Sequence, residues 1–366
     1  MRKIIWVLAL IVIAGGAYLC LWPVPIEPVS WKAPAAPSYT GVHSANSRLS
    51  GLNIISLGGE EGPEHIVLGQ DDKLYAAVAS GNILRMNPDG SAQEVFINTG
   101  GRVFGFDFDG KRNLIAADAI KGLLSISPGR EITVLADKVG EDPIRYADAV
   151  VVARNGKVYF SDASTRFSPA VWGGTFEASI LDLLEQSSTG RILEYDPSQK
   201  TTRVVAHGFS FANGVALSDD QKTLFVIESG KYRVWKIAVD ADNLNVAGGS
   251  SQASVLLNNL PGYPDNLMRG LDGKIWLGFV KPRSSIVDSM ADKPFLRKVI
   301  FRLPRVLWPV PKAYGHVIAF TEDGKVVADL QDPKGAYPET TAITETSDRL
   351  YVQSLHAKGL GWIIKD

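Results

Sequence analysis

A short unit, in which a polar turn leads into alternating apolar and polar or small residues, recurs along the chain from residue 51 onward. Such alternation is typical of a β-strand with one buried face. Six copies can be recognised, and each is followed by a second apolar strand that several times ends at a hairpin turn. The first apolar residues of the six copies are Leu74, Leu114, Val158, Leu224, Ile275 and Leu350.

The copies are 40 to 75 residues apart. The shortest interval matches one four-stranded blade, so the longer ones carry insertions. We therefore predict an all-β fold, a six-bladed β-propeller over residues 51–366. The ring must close, and the apolar run Leu52 to Leu57 is the expected partner of the last blade. A β-sandwich of unrelated hairpins is the alternative, which six paired copies disfavour.

Two insertions in the repeat are predicted to be short helices. Residues 176–186 read as an amphipathic helix. A second helix over residues 292–303 would be capped by Asp292, with Pro294 in its first turn. Its residues Leu296, Val299, Ile300 and Leu303 then share one face. The spacing fits either a lid over the propeller mouth or an interfacial helix on a membrane.

The first 22 residues predict a membrane anchor. Arg2 and Lys3 precede an uncharged stretch from Ile4 to Trp22, about 28 Å long as a helix. A cleaved signal peptide is the alternative, but its apolar region is shorter and ends in a recognisable cleavage site. Because the basic residues stay inside, we expect a single-pass membrane protein with its propeller on the extracytoplasmic side. The proline-rich residues 23–50 are predicted to be a stiff linker that holds the propeller away from the membrane.

Composition excludes some functions. The chain has 38 Lys and Arg against 39 Asp and Glu, so it presents no overall positive field, and we expect no nucleic-acid partner. Its single cysteine, Cys20, lies in the apolar N-terminal stretch. A disulfide framework or a thiolate metal site in the propeller is therefore excluded.

Polar residues stand at the predicted entrances of three blades. Glu64 precedes the first blade, Asn213 the fourth, and Asp265 and Asn266 the fifth. These side chains offer only oxygen donors, which suit Ca²⁺ better than zinc. Asn-Gly and Pro-Asp-Asn are also common turn sequences, so each motif alone fits a turn. Three equivalent placements favour a shared metal site.

Several long motifs in order give the chain a family resemblance. They are GPEHIVL (62–68), YADAVVVARNGKVYFSDAS (146–164), LDLLEQSSTGRILEYDP (181–197), FANGVALS (211–218), LPGYPDN (260–266) and WLGFVKPR (276–283). With these motifs the chain resembles strictosidine synthase-like proteins of the calcium-dependent lactonase superfamily, whose relatives include gluconolactonases and paraoxonases. The membrane-anchored branch of that family is the most similar in layout.

The resemblance implies roles for individual residues. Glu64, Asn213 and Asp265 would bind Ca²⁺, with Asn266 beside them, and Asp265 or a metal-bound water would act as the catalytic base. Arg145 matches by spacing an arginine that contacts substrate in gluconolactonases.

The chain also departs from the pattern of its relatives. Ala147 replaces an amide ligand beside Asp148, and Phe104 stands near the position of the paraoxonase histidine. Glu339 lies in the neighbourhood of the late glutamate of the plant synthases without aligning on it. His65, next to Glu64, is expected to be a hydrogen-bonded structural histidine on the opposite side of its strand.

Three functions follow from these features. The first is a Ca²⁺-dependent hydrolase of lactones or aryl esters, acting on a small molecule whose carbonyl the metal polarises. The apolar insertions favour a hydrophobic substrate. The second is a non-catalytic propeller with structural calcium that binds a protein or a hydrophobic ligand. The third is a condensing enzyme like the plant synthases.

Overall fold

The main body of the molecule is a ring of six antiparallel sheets around a central channel, and the computed structural model describes residues 2–365. Within each blade we name the strands a to d from the channel outward. Strands a of neighbouring blades pack against each other around the channel. The predicted six-bladed propeller is confirmed.

The strands of the first three blades follow in chain order. Blade 1 consists of His65–Leu68, Leu74–Ala77, Asn82–Met86 and Glu94–Asn98; blade 2 of Val103–Phe108, Leu114–Asp118, Gly122–Ile126 and Ile132–Ala136; blade 3 of Ala147–Val152, Val158–Asp162, Gly190–Asp196 and Thr201–Phe209. A short fifth strand, Leu244–Asn245, pairs in parallel with strand d of blade 3. A two-stranded hairpin, Lys138–Val139 with Asp142–Pro143, lies between blades 2 and 3.

The last blade contains both ends of the propeller sequence. Blade 4 consists of Ala212–Leu217, Thr223–Glu228, Arg233–Ala238 and Ala253–Leu257; blade 5 of Gly262–Arg269, Ile275–Pro282, Gly315–Phe320 and Val326–Asp332; blade 6 of Thr340–Glu345, Arg349–Ser354, Leu360–Ile364 and Asn53–Ile55. Strand d of blade 6 pairs Asn53 with Trp362 and Ile55 with Leu360. The predicted ring closure is therefore confirmed.

Apolar side chains fill the spaces between neighbouring blades. At the junction of blades 6 and 1, for example, Ile66, Leu84, Tyr351 and Leu360 are all buried in one cluster. Each blade is covered by a neighbouring blade on either side, so both faces of every sheet carry apolar residues. Successive residues of a strand point to opposite faces and so supply both.

Helices lie at the N-terminus and in the two predicted insertions. They are α1 (Arg2–Leu21), α2 (Pro169–Trp172), α3 (Thr175–Glu185), α4 (Ser285–Ser289) and α5 (Pro294–Arg302). Short 3-10 turns occur at Gly41–His43, Ser229–Lys231, Val246–Gly248 and Arg305–Leu307. Helix α1 is long and apolar enough to cross a membrane, and none of its residues is buried.

Helix α5 differs from its prediction in its cap and in its buried face. The residue before it is Lys293, without a side-chain cap, so Asp292 does not cap the helix. Arg297 and Arg302 are 2% and 8% exposed, whereas Leu296 is 40% exposed. The buried arginines are stable there because their guanidinium groups donate to backbone carbonyls. Such pairing satisfies donors whose burial alone would be costly.

Residues 23–50 do not form a free spacer. They run along the propeller, with Ile26 fully buried. The Val29 amide donates to the Glu185 carbonyl at 2.8 Å, and the Leu49 amide to the Gln331 carbonyl at 2.9 Å. Burial of apolar side chains together with these bonds outweighs the stiffness that the prolines confer.

Candidate functional site

Of the polar residues predicted at the blade entrances, Asn213, Asp265 and Asn266 lie at irregularities of strand a, whereas Glu64 lies just before strand a of blade 1. In blades 3, 4, 5 and 6 two residues of strand a oppose one residue of strand b at the same level. These pairs of residues are 148–149, 213–214, 265–266 and 341–342. Such bulges redirect a side chain that would otherwise follow the alternation of the strand. They direct the polar side chains toward the channel.

Glycine allows the inner strands to approach closely at this level. A Cβ atom on Gly214 would lie 2.5 Å from the amide nitrogen of Leu267, which is shorter than any real contact. The neighbouring Asn213 donates a hydrogen bond from its side-chain amide to Asp265 Oδ1. This hydrogen bond therefore links blade 4 directly to blade 5 beside the channel.

Three buried carboxyl groups and one guanidinium meet at this level. Glu64, Asp148 and Asp265 are 2%, 4% and 7% exposed. Arg102 donates to Glu64 Oε2 at 2.9 Å. With Asn213 these residues form the floor of a cavity, and we call them the floor: Glu64, Arg102, Asp148, Asn213 and Asp265.

The carboxyl groups of the floor titrate abnormally because they are buried. Burial raises the pKa of Asp265 to about 7, partly opposed by the hydrogen bond from Asn213. Burial also raises the pKa values of Glu64 and Asp148 well above their usual range, and the nearby charge of Asp265 adds to both. Arg102 opposes these shifts without cancelling them. Three ionised carboxylates against one guanidinium would leave two negative charges uncompensated.

Two fully shielded oxygens of the floor have no hydrogen-bond partner. They are Asn213 Oδ1 and Asp265 Oδ2. Buried acceptors are normally satisfied, so a pair of free oxygens on adjacent side chains needs an explanation. Carboxylate and amide oxygens with two excess negative charges fit a divalent hard cation such as Ca²⁺. The residues present therefore fit the predicted metal.

The other predicted residues are placed differently. The Asn266 side-chain amide lies 3.5 Å from the Glu64 backbone carbonyl, and Asn266 does not line the cavity. Arg145 also lies outside the cavity lining and pairs with Asp142 at 2.9 Å. His65 Nε2 bonds to the Phe106 carbonyl at 2.9 Å, and burial lowers the pKa of His65 to about 4. That arrangement agrees with the structural role expected for this histidine.

Sequence reasoning missed the position of Arg102. Its guanidinium contacts Glu64 across 38 positions of sequence and lies 4.8 Å from the centre of the Phe104 ring. Phe104 stands at the irregularity of strand a in blade 2, so an aromatic ring occupies the level at which other blades present polar groups. An alignment of the strand a sequences of all six blades would have placed Arg102 and Phe104 at the level of the predicted metal ligands.

The cavity above the floor has a volume of about 740 Å³ and mainly apolar walls. The walls come from both insertions and include Ile180, Leu183, Leu184, Ile300, Trp308 and Val310. A pocket with a few converging polar groups beneath apolar walls is the usual form of a small-molecule site.

One polar group interrupts the apolar wall. Glu339 pairs with Lys281 at 2.7 Å and with the ring of His356, and all three residues line the cavity. Although burial opposes it, these partners hold the pKa of Glu339 at about 2. The hydrogen bond to Glu339 in turn raises the pKa of His356. No spacing in the sequence predicts that Glu339 contacts His356.

A second group of possible metal ligands lies away from the cavity. His43 Nδ1 and His316 Nε2 both bond Asp329 Oδ2, at 2.8 and 3.0 Å. The other carboxylate oxygen accepts from Asn46 at 3.2 Å and from Gln331. Because Asp329 is fully hydrogen-bonded, this group acts as a tether that holds residues 43–46 on blade 5.

Comparison with known protein families gives two matches along the chain. The family described as strictosidine synthase matches residues 148–242, and the one described as strictosidine synthase-like, N-terminal, matches residues 41–86. The first match covers Asp148 and Asn213, and the second covers Glu64.

Three curated relatives cover most of the chain. The Arabidopsis thaliana proteins STRICTOSIDINE SYNTHASE-LIKE 4 and 7 are 34% and 31% identical to it; the matches cover 69% and 78% of this chain and 66% and 75% of those proteins. The adipocyte plasma membrane-associated protein of Bos taurus is 29% identical, over 94% of this chain and 85% of that protein.

Solved structures share the fold at low identity. A gluconolactonase from Xanthomonas campestris superposes with a TM-score of 0.60 at 16% identity, covering 94% of this chain and 98% of its own. Regucalcin from Agrobacterium tumefaciens, described as a calcium-binding protein, superposes with a TM-score of 0.56 at 12% identity, covering 85% and 92%. At these identities the likeness establishes the propeller alone.

Proposed function

The chain belongs to the strictosidine synthase-like family, and from this membership and its cavity we propose that it is a Ca²⁺-dependent hydrolase of lactones or aryl esters. We further propose that α1 anchors it in a membrane with the propeller on the extracytoplasmic side. Arg2 and Lys3 favour this orientation, and a relative is described as plasma membrane-associated.

The observation that carries the proposal is the pair of unpartnered buried oxygens at the floor, Asn213 Oδ1 and Asp265 Oδ2. They lie beneath a cavity large enough for a small molecule. Glu64, Asp148, Asn213 and Asp265 would hold the cation. The calcium-binding and gluconolactonase descriptions of the structural neighbours agree with this assignment, although their likeness extends only to the fold.

A bound Ca²⁺ would supply Lewis-acid polarisation of the ester or lactone carbonyl. The residues of the chain perform the remaining tasks. Asp265 lines the cavity at the floor, and its carboxylate, which the bound cation would favour, is placed to accept a proton from an attacking water. The apolar walls exclude bulk water and hold the apolar part of the substrate.

The Glu339 and His356 pair provides a proton donor in the wall of the cavity. His356 is held by Glu339 within the cavity lining, and its raised pKa keeps it protonated at higher pH than a free histidine. A protonated imidazole there can give its proton to the departing alcohol oxygen. Lys281 fixes Glu339 and so positions the histidine.

Calcium titration of the purified full-length protein, followed by a broad lactone and aryl-ester panel, tests the proposal. Asp265→Asn should weaken Ca²⁺ binding by at least about tenfold, since even residues that only support a metal site contribute this much, and should abolish turnover. Asp182→Asn is the matched control, because Asp182 is also fully buried with a pKa raised by burial to about 7, but lies on α3 outside the cavity lining. Absence of Ca²⁺-dependent turnover across the panel would reject the enzymatic proposal.

A non-catalytic propeller is the second candidate, and Arg102 is the observation that favours it. The guanidinium already pairs with Glu64, so part of the negative charge is compensated without metal. In that case Ca²⁺ would still raise the unfolding temperature and Asp265→Asn would remove the increase, while no substrate of the panel would be turned over. The titration therefore separates metal binding from catalysis.

A further inference from the structure

The two helical insertions expose large apolar side chains around the mouth of the cavity. Among the most exposed are Val306 at 88%, Val171 at 74% and Val310 at 62%. We call the exposed apolar residues of α2, α3, α5 and the segment after α5 the rim: Val171, Trp172, Phe176, Phe295, Leu296, Val306, Leu307 and Val310. Exposed apolar side chains that cluster on one part of a protein surface mark an interaction site.

The two insertions meet at the mouth. Arg305, next to Val306, forms an ion pair with Glu177 of α3. Phe176 and Val310 line the cavity while remaining exposed themselves, so the rim is continuous with the apolar walls. An apolar path therefore runs from the molecular surface to the floor.

The charge of the rim identifies its partner. Residues 293–312 contain six Lys and Arg and no Asp or Glu, together with the largest share of the rim. Arg297 and Arg302 of these are buried, whereas Lys293, Arg305 and Lys312 are exposed beside the rim. Basic side chains interspersed with exposed aromatic and aliphatic ones are the pattern of segments that lie in the headgroup layer of anionic membranes.

The position of α1 brings a membrane to this surface. Arg302 donates to the Leu19 carbonyl at 2.9 Å and to the Trp22 carbonyl at 2.6 Å. These carbonyls belong to the end of α1, where backbone acceptors have no partner within the helix. Arg302 therefore fixes α5, and with it the rim, at the point where α1 leaves the membrane.

We propose that the rim lies in the interfacial layer of the membrane that α1 crosses, so that the cavity opens toward the bilayer. Its substrates would then be amphiphilic esters or lactones dissolved in the membrane. The substrate class rests on the proposed hydrolase function, whereas the docking of the rim does not. The apolar walls accept the acyl part of such a molecule and the floor accepts its carbonyl.

Site-directed fluorescence tests the docking without reference to activity. In a Cys20→Ala background, which removes the only cysteine, Val306→Cys and Val134→Cys are labelled with an environment-sensitive dye. Val134 is the matched control, since it is 53% exposed on strand d of blade 2, away from the insertions. The full-length protein is reconstituted into vesicles of phosphatidylcholine and phosphatidylserine, with and without nitroxide-labelled lipid.

The label at position 306 should emit at shorter wavelength and be quenched by the nitroxide lipid, while the label at position 134 stays water-exposed. Removal of phosphatidylserine should reduce the quenching at position 306. Equal, water-like emission at both positions would overturn the proposal, because it would place the rim outside the membrane.

A second measurement addresses the substrate class. The double variant Val306→Asp, Leu307→Asp should lose turnover of a long-chain ester presented in vesicles, while retaining turnover of a short water-soluble ester. Loss of both activities to the same extent would overturn the proposed route of entry. If no ester is turned over by the parent protein, the hydrolase proposal fails while the fluorescence result still decides the docking.

Discussion

The floor and the rim of the cavity are built from opposite residues in opposite kinds of structure. The floor consists of buried or nearly buried polar side chains at bulges or just before the starts of the inner strands, where neighbouring blades hold the backbone on both sides. The rim consists of apolar side chains that are exposed on short helices between strands. Each region breaks the usual rule that apolar residues lie inside and polar residues outside.

The difference indicates where each region obtains its stability. The floor is costly to bury without a cation, so its energy depends on metal and pH. The rim is costly to expose to water, so its energy depends on an apolar partner. Perturbations of the floor should therefore respond to Ca²⁺, whereas perturbations of the rim should respond to lipid.

The largest expected effect concerns the pH dependence of the floor without metal. Burial raises the pKa of Asp265 from 3.8 to about 7. A carboxyl group with a raised folded-state pKa costs stability as the pH rises from its unfolded to its folded pKa. Between about pH 4 and pH 7 the metal-free protein should lose up to about 4 kcal/mol through this group, at roughly 1.36 kcal/mol per unit. Urea unfolding at a series of pH values measures the loss.

Asp182 allows the effect of Ca²⁺ on the floor to be separated from the general effect of buried carboxyl groups on stability. Burial gives it a similarly raised pKa of about 7, so it adds its own loss over the same range. Ca²⁺ should remove the share of the floor carboxyl groups, Glu64, Asp148 and Asp265, and leave that of Asp182, because a bound cation favours the carboxylate. Consequently Ca²⁺ should flatten the pH dependence in Asp182→Asn and change it much less in Asp265→Asn, in which Ca²⁺ binding is weakened. An equal effect in both variants would contradict the assignment of the floor.

The next effect concerns the rigidity of the floor. Gly214→Ala should destabilise the protein by about 1–3 kcal/mol, because the added methyl group meets the backbone of blade 5 and the core resists overpacking. Gly248→Ala is the matched control, since nothing lies within 4 Å of its Cβ position. Both changes reduce the entropy of the unfolded chain equally, so the difference between them isolates the packing. Similar stabilities of the two variants would show that the inner strands can separate.

The sequence predicts the floor better than the rim for a physical reason. Glu64, Asn213 and Asp265 stand at equivalent points of a repeat, so their convergence follows from the symmetry of the propeller. Arg102 occupies the corresponding position before strand a of blade 2, but its residue type does not indicate a metal site, since an isolated arginine is usually a solvated surface residue. The bulges that direct the side chains depend on pairing between strands, which alternation alone does not reveal.

For helix α5 the sequence predicts the helix correctly but its buried face wrongly. Its period correctly predicts a helix, but the choice of buried face assumes that apolar residues are buried first. Arg297 instead donates to the Leu184 carbonyl at 2.9 Å and to the Ala291 carbonyl at 3.0 Å, at the ends of other helical segments. Only the tertiary structure brings those carbonyls within reach of Arg297. Nothing in the local sequence of α5 records them.

The smallest expected effect concerns the wall between floor and rim. The hydrogen bond to Glu339 raises the pKa of His356, and His356 together with Lys281 outweighs burial to hold the pKa of Glu339 at about 2. Stability from the pair is therefore complete between the ordinary glutamate and histidine pKa values. It declines as the pH rises through the raised pKa of His356, and again as the pH falls toward 2.

Because the His356 side chain is 57% exposed, solvent screens the pair, and we expect His356→Gln to cost only about 0.5 kcal/mol near pH 5.5. A histidine NMR titration should give a midpoint above about 6.5 in the parent protein, returning toward that value in Glu339→Gln. If His356 also donates a proton to the leaving group, His356→Gln should lower kcat with little change in KM. Unchanged kcat with a normal titration shift would assign the pair to the wall alone and leave the chemistry to the floor.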